Sequence, residues 1–173
     1  MTKLKTPSII ILVSVVFASF GMASDNSGRE LDFKAELSGN EEVLAVKTQA
    51  KGEAKFSLRK GEDRFSYNLV LQGIENITAA HIHKGKKGEN GPPVVDLFKE
   101  PMGKTATGTL LSEGVIFAYD LIGPLKGKSL KSLEEMMEAE DAYVNVHSKD
   151  HPEGEIRGQI LRVPSKLPGP HSK

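Results

Sequence analysis

The chain has 173 residues, with 23 basic and 23 acidic side chains and a formal net charge of zero at pH 7. This balance provides no broad cationic field, which argues against nucleic acid or an anionic membrane as a partner. The absence of cysteine excludes disulfides, thiolate nucleophiles, zinc fingers and cysteine-held iron–sulfur clusters. The length favours a single domain, and any metal would need His, carboxylate or backbone ligands.

The first segment has the order of a secretory signal peptide. Lys3 and Lys5 precede an apolar run at 9–18, and the small residues Gly21 and Ala23 follow. The apolar run is shorter than the roughly 20 residues of a spanning helix, so the sequence predicts cleavage after Ala23 rather than a retained anchor. The protein would then be exported, to the periplasm or out of the cell, with no membrane span after cleavage. An exported chain without disulfides is typical of bacteria.

Beyond a polar segment at 24–31, expected to be flexible, short runs of alternating apolar and polar residues follow one another. Such alternation is typical of half-buried antiparallel strands. Turn residues separate nine predicted strands, which favours a β-sandwich or barrel. The predicted strands cover 32–37, 54–58, 65–71, 77–83, 94–98, 106–111, 115–121, 142–147 and 155–163.

One segment departs from the strand pattern. Apolar residues recur at helical spacing over 129–139, which predicts one short helix covering an end or edge of the sheet. Within it, Ser132 and Glu135 match a capping box. The predicted domain covers 32–163, and a Pro-rich tail at 164–173 is expected to be extended.

Four of the five histidines fall in two short segments. His81 and His83 are two residues apart on a predicted strand, so their side chains project to the same face. His147 ends a second alternating strand, and its side chain is expected on the face opposite the apolar Val144 and Val146. His151 follows four residues later.

These histidines are candidates for a metal site. Neutral imidazole is a common ligand of copper and zinc, and His81, His83 and His147 would supply three ligands if their strands are neighbours. His151 or a carboxylate could complete the shell. The candidate carboxylates are Asp96, Asp150 and Glu155. The alternative is that these histidines are polar sheet residues bonded to backbone or solvent.

Two basic residues beside these segments are candidate contacts for an anion or a partner. Lys84 forms a small basic patch with Lys86 and Lys87, which could attract an anionic substrate or polymer or simply keep a loop soluble. Arg157 lies two residues after Glu155 on a predicted strand, so the two share a face. They could pair with each other or with a partner, and a solvated strand face is the alternative.

Two long motifs resemble the CHRD (chordin) domain family. They consist of Thr78-Ala79-Ala80-His81-Ile82-His83 with Gly88, Asn90-Gly91-Pro92 and Val94-Val95, and of Tyr143-Val144-Asn145-Val146-His147 with His151-Pro152-Glu153-Gly154-Glu155-Ile156-Arg157-Gly158-Gln159-Ile160. Segments 37–43 and 120–125 fit the same family, so the resemblance covers about residues 32–162. Residues 44–46 depart from it, because the family usually has prolines there.

The family resemblance implies that the protein is a binding module, and it does not indicate a particular catalysed reaction. In chordin, related domains belong to an extracellular antagonist that binds growth factors of the bone morphogenetic class. Bacterial single-domain members are exported proteins without a settled activity. The resemblance therefore implies an exported, non-enzymatic binding module with an unidentified protein or polymer partner.

The histidine pattern has a second, weaker resemblance, to copper–zinc superoxide dismutase, a Greek-key β-barrel. That family holds copper partly with a His-x-His strand and partly with a His on a late strand, positions matched by His81, His83 and His147. Arg157 is similar to the arginine that guides the anionic substrate there. Six metal-site histidines and a disulfide are expected in that family, whereas this sequence has five His and no Cys, which argues against a two-metal dismutase.

The sequence thus predicts an all-β fold with one short helix near 129–139. With the resemblances, the expectation is an antiparallel Greek-key sandwich or barrel of about eight or nine strands. Two functions stay open. The favoured one is an exported CHRD-domain binding module, with or without a histidine metal site. The alternative is a single-metal copper or zinc protein, or a superoxide dismutase-like enzyme, that uses His81, His83 and His147.

Overall fold

The computed structural model describes residues 31–59, 62–99 and 109–164. The predicted signal peptide lies outside these residues, as do nearly all of the predicted flexible segment and of the Pro-rich tail. Among the described residues, no helix is long and apolar enough to cross a membrane.

The described residues form nine antiparallel strands in one nearly closed, barrel-like sheet. The strands are β1 (Leu31–Ser38), β2 (Lys51–Leu58), β3 (Phe65–Gln72), β4 (Ile77–Lys84), β5 (Pro93–Lys99), β6 (Thr109–Ile116), β7 (Ala142–Ser148), β8 (Ile156–Gln159) and β9 (Leu161–Val163). Hydrogen bonding orders them β5-β4-β7-β8-β1-β2-β3-β6, and β9 pairs with β1. The all-β prediction is confirmed.

The connection from β6 to β7 gives the sheet its Greek-key character. After β6 the chain passes through two 3₁₀ turns at Ala118–Asp120 and Gly123–Leu125 and through helix α1 (Leu130–Glu138), and β7 then lies beside β4. The predicted helix is confirmed, but the predicted capping box is wrong. Ser129 is the N-cap, so that Ser132 already lies inside the helix.

The hydrophobic core is formed by alternate residues along the strands. On β1, Phe33, Ala35 and Leu37 are buried, and the ring of Phe33 meets that of Phe65 edge to face, with 6.2 Å between centroids. On β4, Ala80 and Ile82 are fully buried in the same core. Because side chains alternate across a strand, the histidines of β4 project from the opposite face of the sheet.

The two strands predicted at 106–111 and 115–121 correspond to one strand, β6, in the described residues. Residues 106–108 lie outside the described residues, and the predicted strand at 115–121 is wrong beyond Ile116, because Ala118–Asp120 form a 3₁₀ turn. Its pairing with β3 runs without interruption from Phe65 opposite Ile116 to Gln72 opposite Thr109. Gly114 is therefore not a turn residue. It makes room for the Tyr67 ring, since a Cβ at this position would lie 2.9 Å from a ring carbon.

The predicted strand at 155–163 is two strands instead of one. Its first part, β8, pairs with β7, and its last part, β9, pairs with β1. Between them, Ile160 is fully buried and donates its N–H to the carbonyl of Ala142. The break arises because the chain changes its pairing partner at this residue.

Tyr67 links the two ends of the pairing order. It belongs to β3, next to the terminal strand β6, and its hydroxyl donates a 2.8 Å hydrogen bond to the carbonyl of Leu97 on β5, the other terminal strand. This bond connects the two sides of the seam, the gap between β5 and β6 where no continuous ladder of backbone hydrogen bonds closes the barrel.

Tyr67→Phe should lower the free energy of unfolding by about 1 kcal/mol, because it removes this hydrogen bond and leaves the Leu97 carbonyl without its partner. Urea unfolding of the wild type and the variant measures the difference. Tyr119→Phe is the matched control, since Tyr119 is exposed and its change should have no effect within error. Equal stability of Tyr67→Phe and the wild type would contradict the role of the seam bond.

Candidate metal centre

The two histidine segments pair with each other as neighbouring strands. In the register of β4 and β7, Ala79 lies opposite His147, His81 opposite Asn145 and His83 opposite Tyr143. This antiparallel register brings the His-x-His pair and His147 to one patch on the face of the sheet that lies away from the core.

The three histidine rings are close enough to share one ion. Ring centroids are 5.0 Å apart for His81 and His147, 5.5 Å for His81 and His83, and 5.9 Å for His83 and His147. One ring nitrogen from each lies within 4.8 Å of the other two. Tetrahedral ligands at about 2.05 Å from zinc stand about 3.3 Å apart, so small ring rotations would close the site.

Two of the rings are oriented by backbone carbonyls. Nδ1 of His83 lies 2.8 Å from the carbonyl oxygen of Gly91, and Nδ1 of His147 lies 2.9 Å from that of Pro152. A carbonyl can only accept, so each Nδ1 carries the proton and each Nε2 carries a lone pair. Both Nε2 atoms are buried and have no hydrogen-bond partner among the described residues. This arrangement is typical of metal-ligating histidines.

His81 is oriented by a carboxylate. Its Nε2 lies 3.4 Å from Oδ1 of Asp96, which is its neighbour across the pair of β4 and β5. Carboxylate contacts of this kind raise the basicity of metal-bound imidazole. Of the three carboxylates considered for the shell, Asp96 is therefore the one beside the histidines.

The His83 ring packs against a stack formed by Tyr143 and Arg157. The ring of Tyr143 lies parallel to His83, with 5.1 Å between centroids and an interplanar angle of 16°. Tyr143 also contacts Arg157 of β8, the strand on its other side, whose guanidinium carbon is 3.5 Å from the Tyr143 ring centroid. Arg157 donates to Oδ1 of Asn90 at 2.9 Å and to the carbonyl of Glu89 at 2.7 Å.

The interpretation of Glu155 and Arg157 as a solvated strand face is wrong. Arg157 is 2% exposed and Glu155 is 8% exposed. Loops cover this face of β8, since Arg157 is bonded to the 85–92 loop and Oε1 of Glu155 accepts a 2.8 Å hydrogen bond from the Thr48 hydroxyl.

Burial also affects the protonation of His83. Burial lowers the pKa of His83 below its usual value, and the nearby His147 and Arg157 lower it further, against the opposing effect of the bond to Gly91. His83 is therefore neutral at pH 7, which is the form that binds metal.

The other predicted site residues lie apart from the three histidines. His151 and Asp150 line a neighbouring cleft of about 430 Å³, together with Glu42 and Gly154. In the described part of the chain, the metal-compatible group comprises the three histidines without His151. Lys84 is exposed, with its ammonium 3.9 Å from the Asp141 carboxylate.

Sequence reasoning missed the role of Glu42. Its Oε1 is buried without a hydrogen-bond partner, as is Oδ1 of Asn145. A Cβ at Gly154, where φ is +134°, would lie 2.8 Å or less from both side chains, so the glycine lets them approach one point. Burial raises the pKa of Glu42 to about 7, and Arg157 opposes the rise. Nothing in the local sequence of this loop indicates such burial.

Glu42→Gln should stabilise the protein at high pH but much less at low pH. The folded pKa of about 7 is above the usual 4.5, so the folded state holds a proton that the unfolded state releases. Wild-type stability therefore falls as pH rises from about 4.5 through 7, whereas Gln cannot ionise. Urea unfolding at pH 5 and pH 8 tests this, with exposed Glu153→Gln in the same cleft as the control. An equal effect of Glu42→Gln at both pH values would contradict the expectation.

Comparison with known proteins identifies the family of the chain. A family model for the CHRD domain matches residues 33–160, which is well over half of the chain and includes all three histidines. No curated protein and no solved structure shows a match. The predicted family is confirmed, and the chain belongs to the CHRD-domain family.

Proposed function

We propose that this protein is an exported CHRD-domain module that binds one copper or zinc ion through His81, His83 and His147. The convergence of their ring nitrogens within 4.8 Å carries the proposal. The backbone bonds at Nδ1 of His83 and His147 support it, since they leave two buried Nε2 lone pairs to receive an ion.

The donor set favours copper or zinc over other common ions. Imidazole nitrogen suits copper and zinc, whereas calcium and magnesium prefer oxygen ligands. Three protein ligands leave a fourth position, which solvent would fill. The His81 side chain is 16% exposed, so an ion can enter without unfolding of the sheet.

Binding is better supported than substrate steering. A dismutase-like enzyme would need an accessible cation to guide an anion, and Arg157 is buried, stacked on Tyr143 and bonded to the 85–92 loop. A superoxide dismutase-like enzyme would use the same three histidines. That function stays a prediction from the weaker of the two resemblances.

Metal titration tests the proposal. The protein, produced without an affinity tag, should bind one equivalent of Zn(II) or copper and should gain about 2.7 kcal/mol of stability when free metal is 100 times Kd. His81→Ala and His147→Ala should each weaken binding at least 100-fold, because each removes a ligand. His151→Ala is the control and should bind as the wild type does. Absence of binding by the wild type, or wild-type binding by His81→Ala, would refute the proposal.

Export is proposed from the N-terminal pattern of basic, apolar and small residues. The full chain, expressed in a bacterium, should be recovered outside the cytoplasm. Its mass should be that of a cleaved chain whose first residue is Ser24. A variant with Leu12→Lys and Val13→Lys, which interrupts the apolar run, should stay in the cytoplasm with its N-terminus intact. Cytoplasmic, uncleaved wild-type protein would show that the segment is not a signal peptide.

A further inference from the structure

Arg157 places a fixed positive charge behind the histidines. Arg157 is 2% exposed, and its two hydrogen-bond acceptors among the described residues, Oδ1 of Asn90 and the carbonyl of Glu89, are neutral. Among the described residues, no carboxylate lies within ion-pair distance of it. Glu42 is near enough for the positive charge of Arg157 to lower its pKa, against the rise that burial causes. The guanidinium is therefore held by neutral acceptors and not by a directly paired carboxylate among the described residues.

A stack of side chains connects Arg157 to His83, one of the proposed metal ligands. Arg157 lies over the Tyr143 ring, and Tyr143 is stacked on His83. Tyr143 lies on β7, between β8 and β4, so its ring lies between the guanidinium and the His83 ring. Screening between buried charges is weak compared with that at the surface.

We propose that Arg157 determines the charge preference of this site, favouring a monovalent ion, Cu(I), over a divalent ion such as Zn(II). The inference rests on the proposed metal site and adds its selectivity. Repulsion from a fixed cation is twice as large for a divalent ion as for a monovalent one, and neutral imidazole ligands do nothing to cancel it. The stacking distances of 3.5 Å and 5.1 Å place the guanidinium carbon within about 9 Å of the His83 ring centroid. At an effective dielectric constant of about 20, two unit charges at that separation change an equilibrium constant by about one order of magnitude.

Asp96 acts in the opposite direction. Its carboxylate is 3.4 Å from Nε2 of His81, so it attracts a divalent ion more strongly than a monovalent one. The expected selectivity is the balance of the two charges, and each charge can be removed separately by substitution.

The experiment compares affinities for Zn(II) and for Cu(I), the latter under anaerobic conditions against a competing chelator. Arg157→Gln should raise the ratio of Zn(II) to Cu(I) affinity about tenfold relative to the wild type. Arg157→Lys keeps the charge without the planar stack and should leave the ratio within about threefold of the wild type. Asp96→Asn should lower the ratio.

The outcomes separate the inference from the proposed function. If the wild type binds neither ion, the metal site itself is refuted, and the inference fails with it. If the wild type binds but Arg157→Gln leaves the ratio unchanged, even with both affinities reduced, Arg157 only anchors the 85–92 loop and the inference alone is overturned.

A second variant keeps the test decisive if circular dichroism shows that Arg157→Gln does not fold. Glu42→Gln at pH 8 removes the negative charge that partly offsets Arg157, so it should shift the ratio towards Cu(I) by about twofold or more. Glu153→Gln, in the same cleft but exposed, is the matched control. A ratio unaffected by Glu42→Gln would overturn the inference.

Discussion

The register between β4 and β7 is the constraint on which the site depends. His81 and His83 share a face by the geometry of any strand, but His147 joins them because Ala79 lies opposite it in an antiparallel pair. A shift of one residue would turn the whole set to the other face. The fully buried side chains of Ala80, Ile82, Val144 and Val146 oppose such a shift, because it would exchange core side chains for imidazoles. Core packing thus holds the histidine geometry.

The polar face of these strands is organised as a second, smaller interior. Loops bring carbonyls to it from Gly91 and Pro152, and the Arg157 guanidinium holds the 85–92 loop through Asn90 and Glu89. Buried polar groups are costly unless bonded, and the carbonyl contacts satisfy one nitrogen on each of His83 and His147. Nε2 of His83 and Nε2 of His147 stay without partners among the described residues, which supports the proposed metal site, because buried polar atoms in proteins are nearly always bonded.

Much of the fold follows from local pattern, and the errors arise where pairing between segments distant in the chain decides the structure. Period-two alternation located β1 to β5 and β7, and helical spacing located α1. Ser112 to Gly114 resemble a turn, but pairing with β3 continues through them because Tyr67 packs on Gly114. The C-terminal strand divides at Ile160, where the partner changes from β7 to β1. Pairing partners lie far away in sequence, and alternation carries no information about them.

The sequence by itself determined the all-β class, the CHRD family and the three histidines, because strand periodicity and the two motifs are local properties of the chain. Only the tertiary structure decided that His151 lies in a separate cleft, that Arg157 is buried against Tyr143, and that Oε1 of Glu42 is buried. These properties depend on which loops fold over the outer face of β7 and β8. Burial and charge compensation are set by contacts between segments distant in the chain, and those contacts exist only when the barrel is formed.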